Sequence, residues 1–266
     1  MLKTIQSVYK KNRSTMLRAY PLSFIMQRIL SSAFALLTPV ILYYFVFDRR
    51  LGTEFYDTRQ DYLSYIALGY GAYAVSVATL MNVGRSIISE IREGTIDSFL
   101  LSPASRLGYF LGVFIEQIGR SMIEFGLIFI FSIVLGVRYH FENIIGMILV
   151  VLFISLISFS MTIILSNIMI YTRDTFISQN TLFILLVFLT GVSFPSYYLP
   201  KWLQIFSNLI PLTHATNVLR AVANGNINNS TWLSVGIAIF EGAIYFFIGY
   251  KWFKILEKKL IEEAFS

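Results

Sequence analysis

The stretch NIIGMILVVLFISLISFSMTIILSNIMI, residues 143–170, contains no charged side chain in 28 positions. A bilayer core of about 30 Å needs roughly 20 residues of helix, so this run is long enough to cross a membrane. Working outward from it, further apolar runs occupy residues 25–47, 62–83, 109–136, 177–194 and 232–253, of which 177–194 is the shortest. The sequence therefore predicts an all-α integral membrane protein with six spans in a single transmembrane domain, residues 1–266.

The composition agrees with that class. Of the 266 residues, 56% are hydrophobic and 14% are charged, and the mean hydropathy is +0.68, whereas soluble domains are about 25% charged. The chain has no cysteine and only two histidines, His140 and His214, far apart in sequence. These facts argue against a disulfide framework, a metal site or an intramembrane hydrolase, and the net charge of +6 bears on topology rather than on a nucleic-acid partner.

The basic residues are distributed unevenly along the chain. With both termini inside, the inner segments hold fourteen Lys and Arg side chains and the outer segments hold six. Because cytoplasmic loops of membrane proteins carry the excess of positive charge, we expect both termini to be cytoplasmic in a multi-pass protein of the cell (inner or cytoplasmic) membrane.

Residues 1–20 precede the first span and combine basic and apolar positions. Apolar side chains recur at Leu2, Ile5, Tyr9 and Met16, with Lys and Arg between them. This spacing predicts an amphipathic helix that lies in the cytoplasmic interface; the alternative is a basic tail that frays.

The segment 195–231 is too polar for a full span and too apolar for an ordinary loop. Proline interrupts it at Pro195, Pro200 and Pro211. Between the last two, apolar side chains fall on one helical face, namely Trp202, Ile205, Phe206 and Leu209. Thr213 is predicted to cap a second short helix that ends before Gly225. Two short, half-buried helices predict an external re-entrant hairpin, which is tolerated only where protein or water surrounds it.

A polar insert at about 86–101 separates the second and third spans. Its apolar positions predict a short amphipathic helix interrupted at Gly94, and Ser102 is predicted to cap the next span with Pro103 at its first position. Two interpretations stay open: a helix flat on the membrane whose charged edge docks a cytoplasmic partner, or a capped loop that only connects two spans.

Three charged side chains fall inside the third span. Glu116, Arg120 and Glu124 are spaced by four residues and so share one stripe of the helix. Charges at this depth are costly unless they are paired, and mutual pairing is the expected solution. Three interpretations of these side chains stay open: a polar relay between the coupling helix and the transport path, a structural ladder that holds the helix to its neighbours, or a set of proton carriers. Of the other buried charges, Glu241 has Arg220 as a conceivable partner, and Arg28 can extend to the interface without any function.

Two strings in the chain resemble a known family. Glu93-Gly94-Thr95 followed by Leu100-Leu101-Ser102-Pro103 and Ser105-Arg106 resembles the coupling-helix region of ABC-2 type transporter permeases. Ile210-Pro211-Leu212-Thr213-His214-Ala215 followed by Leu219-Arg220-Ala221 is similar to the family's NPLTxA…LR signature, with Ile210 in place of the usual Asn. Further pairs match its drug-, polysaccharide- and nodulation-factor-exporter branches: Phe194-Pro195, Leu199-Pro200 and Trp202-Leu203.

The resemblance implies a membrane-spanning permease subunit of an ABC exporter, not itself an enzyme. ATP and Mg would bind in separate ABC ATPase subunits, and the sequence indeed has no Gly-x-x-x-x-Gly-Lys-Ser/Thr loop. The permease would form a homodimer, or a heterodimer with a similar chain, and move an amphipathic glycan, drug, peptide or lipid. Its implied ATPase contacts are Ile91, Arg92, Glu93, Gly94, Thr95, Phe99, Ser102 and Pro103. Its re-entrant signature is Pro211, Leu212, Thr213, His214 and Arg220.

In the family, the second and fifth spans border the transport route. Tyr70 and Tyr73 on the second span are therefore candidate lining residues, although ordinary helix packing explains each of them equally well. Two other function classes stay open. One is an ion- or proton-coupled secondary carrier that uses Glu116, Arg120, Glu124 and Glu241; the other is a non-transporting membrane scaffold.

Overall fold

The protein is described here from a computed structural model, which covers residues 1–19, 21–41, 45, 59–96, 101–102, 105–173 and 176–264. Over these ranges the chain is helical and contains no strand. The α-helices whose two ends lie in these ranges are α1 Leu2–Ala19, α2 Pro21–Ile41, α3 Arg59–Gly84, α4 Ser86–Arg92, α5 Arg106–Val134, α6 Ile144–Thr172, α7 Phe176–Leu189, α8 Lys201–Asn208, α9 Pro211–Ala223 and α10 Asn229–Ala264.

Four helical segments within the described residues are long and apolar enough to cross a membrane: Tyr62–Arg92, Arg106–Val134, Ile144–Thr172 and Asn229–Glu262. The apolar part of α2 is shorter, Arg28–Ile41, and α7 has 14 residues, about 21 Å of helix. The all-α class is confirmed, and four of the six predicted spans reach full length within the described residues. The last part of the predicted first span, 25–47, lies largely outside them.

The predicted fifth span, 177–194, extends too far at its end. Helix α7 stops at Leu189, and the next residues form a turn in which Gly191 has φ +69°. This left-handed backbone ends a helix, and a hydropathy window does not detect it because Val192 and Phe194 beyond it are apolar.

Helix α6 is the centre of the bundle. Its Val151 and Ile154 are fully buried in one cluster with Ala72 and Val75 of α3, and Leu219 of α9 belongs to the same cluster. The side chains that α6 leaves exposed, such as Leu149 and Leu156, are apolar too. The helix therefore has no charged face, in agreement with the absence of charge from residues 143–170.

At the other end of the bundle, α4 packs between longer helices. Ile87 of α4 is buried with Phe110 of α5 and Phe253 of α10. We call this the α4 end and the opposite one the α9 end.

Helix α1 confirms the predicted N-terminal helix and lies along the first turns of α5. Its approach depends on small residues, because a Cβ atom added to Gly112 would lie 2.8 Å from Cβ of Val8, and one added to Gly108 would lie 3.3 Å from Cβ of Thr4. Part of the apolar face of α1 therefore packs against α5.

Two predicted helix caps are wrong. Helix α5 begins at Arg106, and its N-cap is Ser105, whose Oγ accepts a hydrogen bond from the Gly108 amide at 3.2 Å; Ser102 is not the cap. Helix α9 begins at Pro211, so Thr213 lies inside its first turn and donates instead to the Ser207 carbonyl at 2.7 Å. Both Ser105 and Pro211 satisfy the ordinary rules for helix starts, and several candidates within three residues made the choice ambiguous.

Candidate functional site

The predicted coupling segment forms a short helix and an exposed turn. Helix α4 ends at Arg92, Gly94 has φ +69°, and the Thr95 amide donates to the Glu90 carbonyl at 2.9 Å while the Gly94 amide donates to the Ile91 carbonyl at 3.2 Å. These two hydrogen bonds define a Schellman C-cap. The predicted interruption at Gly94 is therefore confirmed, and the helix does not continue unbroken over 86–101.

Most of the predicted coupling residues within the described chain are accessible. Arg92, Glu93, Gly94 and Thr95 are exposed and Ile91 is half-buried; Ser102 is described too, and its carbonyl accepts a 3.4 Å hydrogen bond from Arg106 Nη1. Phe99 and Pro103 lie outside the described residues. We call Arg92–Thr95 the exposed turn.

Beneath the exposed turn lies a carboxylate that sequence reasoning missed. Glu90 is buried, and its Oε1 accepts hydrogen bonds from Lys11 Nζ at 2.8 Å and from the Tyr109 hydroxyl at 3.0 Å. Its Oε2 accepts from the Thr95 hydroxyl. Glu90, Lys11, Thr95 and Tyr109, which we call the Glu90 hub, thus connect α4, α1, the exposed turn and α5.

A second ion pair closes the α4 end. Arg106 Nε donates to Oε1 of Glu257 at 2.6 Å, which connects the first residue of α5 to the last turns of α10. Near the exposed turn, one ion pair therefore connects α1 with α4 and a second connects α5 with α10.

The predicted charge network pairs differently from expectation. Arg120 Nε contacts Glu116 Oε1 at 2.6 Å within α5, as predicted. Glu124, however, forms an ion pair with Arg28 of α2. The expectation that Arg28 only extends to the interface is therefore wrong, because α2 packs on α5 at this level and brings a guanidinium to the buried carboxylate.

A cavity of about 560 Å³ opens beside this charge network, between α2, α3 and α5. Tyr70 and Tyr73, the predicted lining residues, both lie on its wall. Their rings meet edge to face at 6.4 Å. Asn82 also lines the cavity and donates to Oε1 of the fully buried Gln117 at 2.8 Å.

At the α9 end, the predicted signature surrounds a buried arginine. Arg220 Nη2 donates to the carbonyls of Gly191 at 2.8 Å, Val192 at 3.3 Å and Tyr65 at 3.4 Å. Its guanidinium carbon lies 3.5 Å from the centre of the Tyr65 ring. Arg220 with Tyr65, Gly191 and Val192, which we call the Arg220 hub, fixes α9 to α3 and to the end of α7.

The remaining signature residues orient the start of α9. Pro211 occupies the first turn, and Leu212 is completely buried. His214 Nε2 lies 3.0 Å from the Asn208 carbonyl and 3.9 Å from Glu241 Oε1. Glu241 therefore faces His214. The expected pairing with Arg220 is wrong, since that guanidinium points to the α7 turn.

The two short helices of the predicted hairpin are present as α8 and α9. Helix α8 exposes the apolar face that the sequence predicted, with Trp202 at 62% and Ile205 at 63% accessibility, whereas α9 is largely buried against α6 and α10. Within the described ranges, no group of three or more His, Asp or Glu side chains is placed to hold a metal ion.

A bundle of long apolar helices identifies a multi-pass membrane protein. The family model "ABC-2 type transporter" matches residues 4–223, a range that includes both the exposed turn and the Arg220 hub. This chain belongs to the ABC-2 type transporter family. It is 23% identical over 190 residues to the daunorubicin resistance ABC transporter permease protein DrrB1 of Streptomyces coeruleorubidus; the aligned region covers 70% of this chain and 66% of that relative's length.

Proposed function

We propose that this chain is the membrane-spanning permease subunit of an ATP-driven ABC exporter. It moves an amphipathic substrate outward across the cell membrane, with both termini in the cytoplasm. It works as a homodimer or as a heterodimer with a similar permease. ATP and Mg bind in separate ABC ATPase subunits, and this chain contributes no catalytic group of its own. Family membership supports the permease class, and the geometry of the α4 end supports the coupling mechanism.

The observation that carries the proposal is the combination of an exposed turn with a buried anchor. Arg92, Glu93 and Gly94 are accessible to a partner, while Thr95 at the end of the same turn is hydrogen-bonded to Glu90. A plain connecting loop does not need this construction. A force-transmitting contact does, because a displacement of the turn must reach the membrane helices without being lost in local motion.

The hub provides the route for such a displacement. When ATPase subunits close on ATP and press on the exposed turn, Thr95 moves Glu90, and Glu90 moves Tyr109 of α5 and Lys11 of α1 through hydrogen bonds of 3.0 and 2.8 Å. Rigid-body motion of packed helices is a known form of switching. In this protein it would alter α5, which also forms a wall of the cavity.

A matched pair of glycines tests the coupling role. Gly94 and Gly136 both end helices with a left-handed φ, +69° and +96°, and no atom lies within 4 Å of a Cβ added at either position. Alanine at each therefore costs about 1 kcal/mol of backbone strain without a clash. We expect equal small losses of thermal stability for Gly94→Ala and Gly136→Ala, whereas only Gly94→Ala lowers, several-fold, ATP hydrolysis by a co-purified ABC ATPase subunit.

Charge reversal at the same turn gives an independent measurement. Glu93→Arg changes an exposed side chain and leaves the fold intact; Glu142→Arg, exposed at the far end of the bundle, is its control. Loss of ATPase co-purification with Glu93→Arg alone supports docking at the turn. Equal behaviour of the two variants, or transport that persists without ATP and collapses with the proton gradient, would reject the proposal in favour of a secondary carrier.

Because the chain has no cysteine, its topology can be measured with single thiols. The proposal requires that Glu93→Cys react with a membrane-impermeant maleimide only in inside-out vesicles and that Lys201→Cys react only in right-side-out cells. The reverse pattern would place the exposed turn outside the cell and end the coupling account.

A further inference from the structure

One face of α1 is positively charged and is turned away from the rest of the protein. Residues three or four apart lie on the same side of a helix, so four exposed side chains form one row along α1, namely Lys3, Gln6, Lys10 and Arg13. On the opposite side of the helix, Val8 packs against α5. We call Lys3, Lys10 and Arg13 the basic row.

The charge of the basic row is not balanced by nearby carboxylates. The first acidic residue of the chain is Asp48, so α1 itself contains only positive charges. Its third lysine, Lys11, contacts Glu90, but successive residues are turned by about 100° around a helix axis, so Lys11 faces a different side from Lys10. Within the described part of the chain, no carboxylate forms an ion pair with the basic row.

Helix α1 lies at the level of the lipid head groups. Helix α5 has 29 residues, about 43 Å of helix, which matches the thickness of about 40–45 Å of a bilayer with its head groups. The first turns of α5, where Gly108 and Gly112 contact α1, therefore lie among the head groups. Helix α1 ends at Ala19 and α2 begins at Pro21, so α1 stays close to the membrane over its whole length.

The side chains next to the basic row suit this location. Leu2 is 76% exposed, and the half-buried Tyr9 accepts a hydrogen bond from Arg13 Nη1 at 3.0 Å. Interfacial helices combine a basic face with apolar and aromatic side chains in this way. The guanidinium group of Arg13 has further N–H donors, and such donors form strong, charge-assisted hydrogen bonds with phosphate oxygens.

We infer that the basic row of α1 binds the phosphate groups of anionic phospholipids in the leaflet at the α4 end. Each Lys or Arg near an anionic membrane surface strengthens binding about fivefold. Three of them together should therefore favour an anionic over a zwitterionic lipid by at least about tenfold. The proposed orientation makes this leaflet the cytoplasmic one, but binding of the lipid does not depend on that orientation or on any ATPase.

Quenching of a single fluorophore by labelled lipids tests the inference. Gln6 lies in the same row, and the chain has no cysteine, so bimane on Gln6→Cys detects the lipids beside the basic row. The purified full chain is placed in phosphatidylcholine nanodiscs with a variable fraction of nitroxide-labelled phosphatidylglycerol or phosphatidylcholine, both labelled near the head group on one acyl chain. We expect half-maximal quenching at an about tenfold lower fraction of the anionic lipid in low salt, and equal quenching in 1 M salt.

Two triple variants with the same change of charge locate the effect. Quenching by the two lipids should become equal in the basic-row variant, Lys3→Gln with Lys10→Gln and Arg13→Gln. The preference should remain in the α10 variant, which changes three exposed lysines, Lys251→Gln, Lys254→Gln and Lys258→Gln. Because all six positions are exposed, both variants should unfold at the temperature of the unchanged chain. Bimane on Ile145→Cys, exposed at the α9 end, should show no preference.

Three results would overturn the inference: equal quenching by the two lipids with the basic row intact, a preference that survives in the basic-row variant or in 1 M salt, or an equal loss of preference in the α10 variant. If the basic-row variant kept its lipid preference but lost a co-purified ATPase, the row would be a protein-docking surface instead. No ATPase is present in the quenching assay, so a failure of the coupling experiments leaves its outcome intact, and the reverse also holds.

Discussion

The Glu90 hub and the Arg220 hub each join three or more parts of the chain through one buried charged side chain, yet their partners differ in kind. Glu90 is bound by three side chains, those of Lys11, Thr95 and Tyr109. Arg220 is bound by main-chain carbonyls and by the face of one ring. In a hydrogen bond between two side chains both partners can rotate about their χ angles, whereas in a hydrogen bond to a main-chain carbonyl only the donor side chain can.

This difference separates two roles. The Arg220 hub holds a turn, a short helix and a long helix in one fixed arrangement. The Glu90 hub connects an exposed turn to two helices through contacts that can be rearranged. Stability should therefore depend mainly on the first hub and coupling mainly on the second, and four substitutions test this division.

The largest expected effect is that of Arg220→Met. It removes the hydrogen bonds to three carbonyls and a contact 3.5 Å from the Tyr65 ring centre. We expect a loss of about 3 kcal/mol in the free energy of unfolding, measured by thermal unfolding of the purified chain in nanodiscs. Lys201→Met at an exposed position is the control. An unchanged unfolding temperature for Arg220→Met would remove the structural distinction between the hubs.

Gly69→Ala should follow in size. An added Cβ would lie 2.6 Å from Nη2 of Arg220 and would also collide with the Val192 carbonyl. Such overpacking costs about 1–3 kcal/mol. Gly119→Ala on α5 is the matched control, since nothing lies within 4 Å of its added Cβ and alanine favours a helix by up to about 1 kcal/mol. The unfolding temperatures should move in opposite directions; a parallel shift would contradict the packing around Arg220.

Glu90→Gln tests the other hub. The amide keeps an oxygen for Tyr109 but loses the charge that strengthens the hydrogen bonds from Tyr109 and Thr95, so about 1–2 kcal/mol of stability is expected to disappear. ATP hydrolysis coupled to transport should fall further than this loss of stability explains, because the variant still folds but the connection from the exposed turn to α1 and α5 is weakened. Tyr109→Phe should reproduce it, and Glu142→Gln should not. Coupling that falls only in proportion to thermal stability would assign Glu90 a purely structural role.

The smallest effect belongs to Lys11→Ala. The Lys11 side chain is 57% exposed, so water and salt screen its ion pair and its contribution is well under 1 kcal/mol. The difference in unfolding temperature between Lys11→Ala and the unchanged chain should vanish in 1 M salt, where the Debye length is only about 3 Å and the ion pair is screened. A difference that persists at high salt would show that Lys11 acts through packing rather than charge.

Periodicity predicted the helices well because it is a local property. The predicted helix ends at Gly94 and before Gly225 are confirmed by φ values of +69° and +71°. Glycine readily adopts this left-handed conformation, which ends a helix, so the sequence alone indicates both positions. The Ser102 and Thr213 caps are wrong for the opposite reason. Several residues nearby could start each helix, and packing of the longer helices chose Ser105 and Pro211.

Charged pairs between distant segments were harder to predict. Arg28 with Glu124 and His214 with Glu241 join residues 96 and 27 positions apart, and no local pattern specifies either. Glu90 did leave a signal: it lies on the apolar stripe of α4, three residues after Ile87 and beside Ile91. An acidic residue on the buried face of an amphipathic helix predicts a partner from elsewhere in the fold.

Helix α10 has 36 residues, or about 54 Å of helix, against a hydrocarbon thickness near 30 Å. Part of it must extend beyond the lipid, and the part that carries Glu257 is bound to Arg106 at the start of α5. Long helices respond to bilayer thickness by changing their tilt. A thinner or thicker membrane should therefore displace the start of α5 and alter turnover, which makes lipid chain length a mechanical variable for this protein.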